Sequence, residues 1–385
     1  MNDLLIGVIG TGGRGSLARH AHKPNAGSRV VSCCDIVPAM ADTAREWYGP
    51  DVRFTADYHN LLAEDIDAVF ITTPDYLHEE QAIAALQAGK AVYLEKPMAI
   101  TIQGCDRILQ AAHDTGTRLF VGHNMRHMVF VLKMKAIIES GAIGEIKAAW
   151  CRHFVSHGGD WYFKDWHAER RYSTGLLLQK AAHDIDVIHW LCGSYAELVT
   201  ALGGLTLYDQ ITDRRSPTSP PDTSPDLSRW PPAKQSGLNP IIDVEDLSMM
   251  QMRLQNGIMA SYEQCHYTPD YWRNYTFIGT EGRIENFGDL SDDAVVRLWN
   301  KRTDYNAEGD QVFSVGGAVG GHGGADSKIV AEFVRYARDG GQTSTSPLAA
   351  RYSVAAGCAA TESLRSGGQP VEIPPVAPEL SAYFT

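Results

Sequence analysis

Three groups of residues in this sequence have types and spacings that could do chemistry. The first is Gly10-Thr11-Gly12-Gly13-Arg14-Gly15, a G-x-G-x-x-G run. Glycines at these places allow a tight turn and let the backbone approach a pyrophosphate, which free N–H groups at a helix start would receive. Twenty residues past Gly15 stands Asp35. A carboxylate there would accept bonds from a ribose hydroxyl and repel the extra phosphate of NADP, and Ile36 and Val37 offer that phosphate no cation. The pattern predicts NAD, with Arg14 able to swing toward a phosphate. Thr73, Pro74 and His78 close the next long strand and are candidate walls of the same slot; His78 reads equally well as a locally bonded helix start. The second group runs from Arg152 to Arg171 and includes His153, His157, Trp161, Trp166, His167 and Arg170. Tryptophans offer flat apolar faces to a ring, and arginines clamp anionic groups. Pairing of these arginines with Asp160, Asp165 and Glu169 on a solvated loop is an equally good reading. In a strand, Arg152 and His153 point to opposite faces. The third group is Tyr262, His266 and Tyr267 near a strand end, with His322 in Gly320-Gly321-His322-Gly323-Gly324. No histidine set has clear metal-ligand spacing, so no metal is expected.

Elements that position these residues follow from hydrophobic patterning. Strand-like runs at Leu4–Ile9, Arg29–Cys34, Asp67–Thr73, Ala91–Leu94 and Arg118–Val121 alternate with helical ones at Leu17–His22, Ala39–Trp47, His78–Ala88 and Thr101–Thr115. That alternation predicts an α/β Rossmann domain with a doubly wound parallel sheet over residues 1–125. Residues 126–385 read as an α+β domain with an open, largely antiparallel sheet. Its strands are expected at Ile146–Val155, Leu198–Leu205, Leu247–Leu254, Ile258–Cys265 and Tyr275–Gly279, with a hairpin at Asn256-Gly257. Helices are expected at Gly175–Leu191, Lys328–Asp339 and Ala349–Ser366, the C-terminal ones near the domain junction. Tyr208–Ile242 is proline-rich and aperiodic: a long loop, either a passive surface insertion or a lid or arm.

Composition narrows the partners. A net charge of -12 disfavours nucleic acid. No window approaches the ~20 apolar residues of a membrane span, and the N-terminus lacks the basic region of a signal peptide. Seven cysteines without a C-x-x-C pair argue against a disulfide framework. A cytoplasmic location is the default expectation. The 385 residues, 44% of them hydrophobic, suffice for two cores.

Gly89-Lys90-Ala91-Val92-Tyr93-Leu94-Glu95-Lys96-Pro97 resembles the "AGKHV–EKP" signature of the Gfo/Idh/MocA oxidoreductases. Thr73-Pro74-Asp75-Tyr76-Leu77-His78, Gly122-His123-Asn124-Met125-Arg126 and His183-Asp184-Ile185-Asp186 resemble further elements of that family. The resemblance covers nearly the whole chain except the proline-rich insertion. It implies NAD or NADP, a sugar, inositol or glycoside substrate, and homodimers or homotetramers joined through the second domain's sheet. It places Lys96 between nicotinamide and substrate, in a turn shaped with Glu95, and adds Asn124 to the cofactor slot.

Oxidation of a secondary alcohol needs a base for the hydroxyl proton and an acceptor for the hydride. His183 fits the base by type, and Lys96 fits as its electrostatic partner. The family's usual aspartate, four residues before the histidine, is Gln179 here, and the next residue is Lys180. Lys180 and His183, three apart on a helix, replace the carboxylate–histidine pair. His153 is the residue of its strand expected to face the reaction, and the arginines suggest an anionic sugar. The leading function is therefore an NAD-dependent carbohydrate oxidoreductase. Its rivals are an NAD-dependent glycosidase working by transient oxidation, elimination, water addition and re-reduction, as related sulfoquinovosidases do, and a non-catalytic NAD(H)-binding protein.

Overall fold

A computed structural model describes residues 2–316 and 320–384. The chain divides into two compact units: Met1–Met128 with Val319–Arg351 and Pro375–Thr385, and Val129–Ala318 with Tyr352–Pro374. Among the described residues no helix is long and apolar enough to cross a membrane.

The first unit carries strands β1 (Leu4–Ile9), β2 (Ser28–Cys34), β3 (Arg53–Thr55), β4 (Ala68–Ile71), β5 (Ala91–Leu94) and β6 (Leu119–Val121). They form one parallel sheet in the order β3-β2-β1-β4-β5-β6. Every residue of β4 and β5 is buried, as expected of parallel strands covered on both faces. The order reverses between β1 and β4, and beyond the carboxyl ends of strands at such a point a ligand crevice forms. Helices α1 (Met40–Tyr48), α2 (Tyr58–Leu62), α3 (His78–Gln87) and α4 (Ile102–Thr115) flank the sheet. Local chemistry sets the ends of α4: Thr101 accepts a bond from Gly104 N–H, and Gly116 turns left-handed at φ 63°. The segment expected as a helix over Leu17–His22 is a 3-10 helix, Gly13–Ala21, that starts inside the glycine run.

The expected single cut after residue 125 is replaced by an interleaved division. The helix Ala325–Asp339 sends Ile329, Val330, Phe333 and Ala337 into the core that holds Ile6, Val8, Phe70, Tyr93 and Phe120. The Phe333 ring meets Phe70 and Tyr93 edge-on, with centroids 5.1 and 5.5 Å apart. Burying one such ring contributes about 1.5–3 kcal/mol, which is why this C-terminal helix belongs to the first unit.

The second unit carries β7 (Ile146–Phe154), β8 (Ala196–Gly204), β9 (Leu247–Leu254), β10 (Met259–Cys265), β11 (Trp272–Gly279), β12 (Arg283–Phe287), β13 (Val295–Trp299), β14 (Gln311–Ser314) and β15 (Val371–Glu372). The sheet runs β14-β13-β12-β11-β7-β10-β9-β8-β15. Only the β7–β10 pair is parallel; the other neighbours are antiparallel. Residues alternate strictly along β9 between a buried face and a face that leaves Met249 exposed. Trp150, Leu202 and Met259 are exposed too.

Helices α5 (Val129–Glu139), α6 (Gly158–Trp161), α7 (Arg170–Ser173), α8 (Leu176–Gln179) and α9 (Ala182–Cys192) belong to this unit. The single helix expected over Gly175–Leu191 is broken. Ala181 N–H donates to Leu176 O at 3.2 Å, an i→i−5 bond that widens the turn at Lys180.

The proline-rich segment is built into this unit. Tyr208 stacks on Phe163 at 4.2 Å, inside a small core with Leu176, Leu238 and Val244. Arg229 donates to the buried Asp160 at 2.7 Å, and Arg215 donates to Lys164 O at 2.9 Å. The segment has no apolar period because it packs through scattered anchors, not through one face.

Candidate active site

The glycine run has the geometry its sequence requires. Gly10 sits at φ +90°, where a Cβ would lie 2.9 Å from the Thr72 backbone. A Cβ at Gly15 would lie 2.3 Å from Gly10 O. A Cβ at Gly12 would meet only Met40 Sδ at 3.9 Å, and one at Gly13 nothing within 4 Å. The turn is thus closed against the sheet at two glycines and open at the middle pair. Asp35 Oδ2 accepts bonds from Thr11 N–H at 2.9 Å and Gly12 N–H at 3.3 Å, while Oδ1 accepts from Val37 N–H. The carboxylate therefore holds the turn at the carboxyl end of β2, the position from which it would meet a ribose.

Arg14 does not stand free to reach a phosphate. Its Nε donates to Glu95 Oε1 at 2.7 Å, and its two Nη atoms bind Asp326 at 3.0 Å each. Asp326 also receives Asn124 Nδ2 at 3.0 Å and pairs with His322 Nδ1 at 2.9 Å. Burial opposes its charge, but the bonds from His322 and Arg14 hold the carboxyl far below the usual range. Two corrections follow. Arg14 is a tie between the glycine turn and the Glu95-Lys96-Pro97 turn, and His322 belongs to the first unit, not to the second. Asp326 was not singled out in the sequence; its signal was a carboxylate one helical turn past His322.

Glu95 Oε2 accepts from the Lys96 N–H at 3.0 Å, and the Lys96–Pro97 peptide is cis. His78 is fully buried, with Nδ1 2.8 Å from Pro97 O and Nε2 2.9 Å from Thr73 O. Both ring nitrogens face backbone carbonyls, one of which accepts the ring N–H, so the buried His78 braces two turns and is no wall for a ligand. Thr73 Oγ1 donates to Gln81 at 2.6 Å.

The second unit gathers a different cluster. Asp184, in the first turn of α9, is fully buried. It faces His153 Nδ1 at 3.0 Å, accepts from Tyr275 OH, and lies 2.8 Å from Arg273 Nε. That last contact is off the hydrogen-bond axis and so is an ion pair. Burial works against Asp184's charge, but Arg273 and then His153 more than offset it and keep the carboxylate ionised. Register puts His153 opposite Arg273 on β11 and opposite Gln264 on β10. Tyr262 OH lies 3.2 Å from His153 Nδ1 and donates to Gln264 Oε1 at 3.2 Å. Burial, then the charge of Arg273, lowers the His153 pKa to about 3, despite Asp184. The ring is therefore neutral, and with its Nδ1 proton shared by Asp184, its Nε2 carries a lone pair.

That Nε2 is buried with no partner, as are Gln264 Nε2 and both ring nitrogens of His266. Each orphan costs about 1–3 kcal/mol if it stays unsatisfied, so the cluster is shaped for hydrogen-bonding groups from outside the chain. The ammonium of Lys180 lies 5.5 Å over the Tyr162 ring, and Tyr162 packs edge-on against His266 at 5.3 Å. Burial, then Arg273, lowers the Lys180 pKa to about 7, against the pull of Asp184 and Asp289. Part of the residue remains open to solvent. His183 follows in the first turn of α9.

Several expected pocket residues lie elsewhere. Arg152 points to the opposite sheet face, bonded to Asn274 at 2.7 Å and resting over Trp272. Arg170 pairs with Glu245 at 3.0 Å. Trp161 is exposed beside His157, and Trp166 stacks on His167. The aromatic ring of this stretch that packs against the cluster's His266 is Tyr162. Arginines 152, 170, 171 and 273 all have carboxylate partners, which removes the basis for an anionic clamp. Among the described residues, no group of three metal-binding side chains is placed to hold a metal ion.

The first unit is thus a Rossmann fold with an open glycine turn, and the second holds a buried hydrogen-bonding cluster. The sequence pattern of the oxidoreductase family with an NAD-binding Rossmann fold matches residues 4–123, and that of the family's C-terminal alpha/beta domain matches residues 135–373. The chain belongs to the Gfo/Idh/MocA oxidoreductase family. Inositol 2-dehydrogenase of Salmonella typhimurium is 34% identical over 193 residues, 49% of this chain and 54% of that protein. The inositol 2-dehydrogenase of Burkholderia multivorans is 36% identical over 194 residues, 49% of this chain and 55% of its own length. The chain thus spans about half the length of the curated relatives it matches. The apo form of levoglucosan dehydrogenase superposes on 98% of this chain and 100% of its own, with TM-score 0.79 and 24% identity. Myo-inositol 2-dehydrogenase from Lactobacillus plantarum covers 97% of this chain and 100% of its own, with TM-score 0.72 and 20% identity. At these identities the likeness is one of fold.

Proposed function

We propose that this protein is an NAD-dependent dehydrogenase for a secondary hydroxyl of a neutral sugar or polyol. The observation that carries the reading is the set of buried, unsatisfied hydrogen-bonding atoms at His153, Gln264 and His266. Hydroxyls both donate and accept, so a polyol satisfies such a set without introducing charge. The named relatives, inositol 2-dehydrogenases and a levoglucosan dehydrogenase, support the substrate class.

The glycine turn fits a dinucleotide. Gly10 and Gly15 bring the backbone close, Gly12 and Gly13 leave room for a pyrophosphate, and Asp35 would hold the ribose of NAD. Bound NAD would supply the hydride acceptor. Lys96 is held at its backbone by Glu95, which Arg14 orients in turn. Its ammonium would favour the developing alkoxide. The second unit's cluster offers a polyol's hydroxyls acceptors at His153 and Lys180 and a donor at Gln264.

The test is initial-rate NADH formation with NAD and matched neutral and anionic sugars and inositols, in the wild-type protein and in Lys96→Met. Neutral polyols are expected to turn over, anionic analogues to be poorer, and Lys96→Met to lower kcat by roughly 10²–10³-fold. Turnover of anionic sugars alone, or an unchanged kcat in Lys96→Met, would count against the reading.

A further inference from the structure

The second unit holds two hydrogen acceptors of different strength in one cluster, His153 fully buried and Lys180 partly open to solvent. His153 Nε2 is a lone pair fixed in place: Asp184 and Tyr262 engage Nδ1, and the ring is sealed from solvent. Lys180 is mounted differently. It stands at the widened turn that ends α8, with no carboxylate within ion-pairing distance among the described residues, and its ammonium lies over the Tyr162 ring. Every arginine near it in sequence is spoken for: Arg170 by Glu245 and Arg171 by Glu169. Lys180 shares its cluster with the buried guanidinium of Arg273, and among the described residues no carboxylate pairs with it directly.

Resting on the function proposed above, we propose that the Lys180 amine takes the proton of the hydroxyl that is oxidised, while His153 Nε2 accepts the hydrogen of the adjacent hydroxyl, so that the substrate is a neutral vicinal diol. One hydroxyl has one hydrogen, so two acceptors in one cluster call for two donors. In the step, the O–H bond breaks and a new N–H bond forms on Lys180, giving an ammonium. The C–O bond becomes a carbonyl as the hydride leaves the carbon with its electron pair, to the dinucleotide. Gln264 Nε2 donates to a hydroxyl oxygen.

The groups facing Lys180 explain how it does this near neutrality. Arg273 on β11 disfavours its charge. Asp184 on α9 and Asp289 past β12 favour it. His266 past β10 and His153 on β7 both feel the Lys180 charge and stay neutral. Tyr162, at the end of α6, presents its ring face to Lys180. With its pKa drawn down to about 7, the amine is a free base in a large fraction of molecules at neutral pH, which a lysine at its ordinary value of about 10.4 is not. His153, at about 3, is too weak a base to take the proton and remains a fixed acceptor.

The test uses the full-length protein with NAD and the polyol that reacts fastest. Lys180→Met is expected to lower kcat/KM by about 10²–10⁴-fold and to remove the acid limb of the pH profile, which in the wild type rises through pH 7. Small primary amines are expected to restore activity to Lys180→Ala, more strongly as their basicity increases. A substrate lacking the adjacent hydroxyl is expected to lose kcat/KM in the wild type and to lose little more in His153→Phe. Independently of turnover, one dimethyl-lysine resonance of the reductively methylated apoprotein should titrate near pH 7 and be missing in Lys180→Met. Near-wild-type activity in Lys180→Met, or imidazole rescue of His183→Ala with no amine rescue of Lys180→Ala, would overturn the assignment and leave the dehydrogenase reading standing. A wild-type protein that oxidises no polyol would overturn both.

Discussion

Gly15→Ala should abolish useful dinucleotide binding while leaving the second unit folded. The new Cβ would lie 2.3 Å from Gly10 O and 3.2 Å from Gly10 C. Neither neighbour can rotate away, because both are backbone. Gly10 is itself fixed at φ +90° against Thr72 and Thr73. Relief must come from opening the turn, which also pulls Thr11 and Gly12 from Asp35. The affinity for NAD should fall by roughly 100-fold or more, about 2.7 kcal/mol of binding free energy. Calorimetric titration of NAD into the variant checks it. A comparison at Gly12, where the Cβ would meet only Met40 Sδ at 3.9 Å, separates the two causes: Gly12→Ala leaves the turn intact and weakens NAD only by occupying its space.

Asp184→Asn is expected to lose stability and activity together. The substitution leaves the buried Arg273 with its longer pairing to Asp289 at 4.0 Å, and breaking a buried ion pair of this kind costs up to about 3–5 kcal/mol. It also reverses a hydrogen bond. Asparagine can keep Tyr275 OH as a donor to its oxygen, but its amide then points N–H groups at His153 Nδ1. The ring responds by moving its proton to Nε2, the atom that in the wild type accepts from the cluster. Thermal unfolding should shift down, and kcat/KM should fall further than the loss of folded protein explains. The pH dependence has a definite sign. Asp184 is ionised well below the pH at which an unfolded aspartate protonates, so its contribution is present above about pH 4 and is lost as the pH drops toward its native value. Wild type and variant should therefore converge in stability under strongly acid conditions. An Asp184→Asn protein as stable as the wild type at neutral pH would show that Arg273 does not depend on this carboxylate.

The first unit was readable in the sequence because its signals are local. Strands β1 and β5 fall where the apolar runs place them, and the glycine run and Asp35 sit at consecutive strand ends. Strand β3 and helix α2, of three and five residues, are too short to show a period. The second unit was readable only in part. Alternation along β7 puts His153 inward and Arg152 outward, but nothing local tells that Arg273 and Gln264 lie beside His153. That depends on register across β10, β7 and β11. The same blindness made Arg152 and Arg170 look like ligand clamps: their partners Glu285 and Glu245 are distant in sequence. Aromatic type without orientation does not distinguish Tyr162, which packs against His266, from the exposed Trp161 beside it. Phe333 is the fold-level case, a core residue of the first unit contributed from more than two hundred residues past its last strand.

One assay with two readings separates net oxidation from net hydrolysis. Protein and NAD are mixed with neutral polyols and with chromogenic glycosides, and NADH absorbance and aglycone release are followed together. A dehydrogenase accumulates NADH in step with oxidised polyol and releases no aglycone, which is the expected result. Aglycone released with only catalytic NAD and no net NADH would contradict the account, because the hydride would then be returned to the substrate and the net reaction would be hydrolysis.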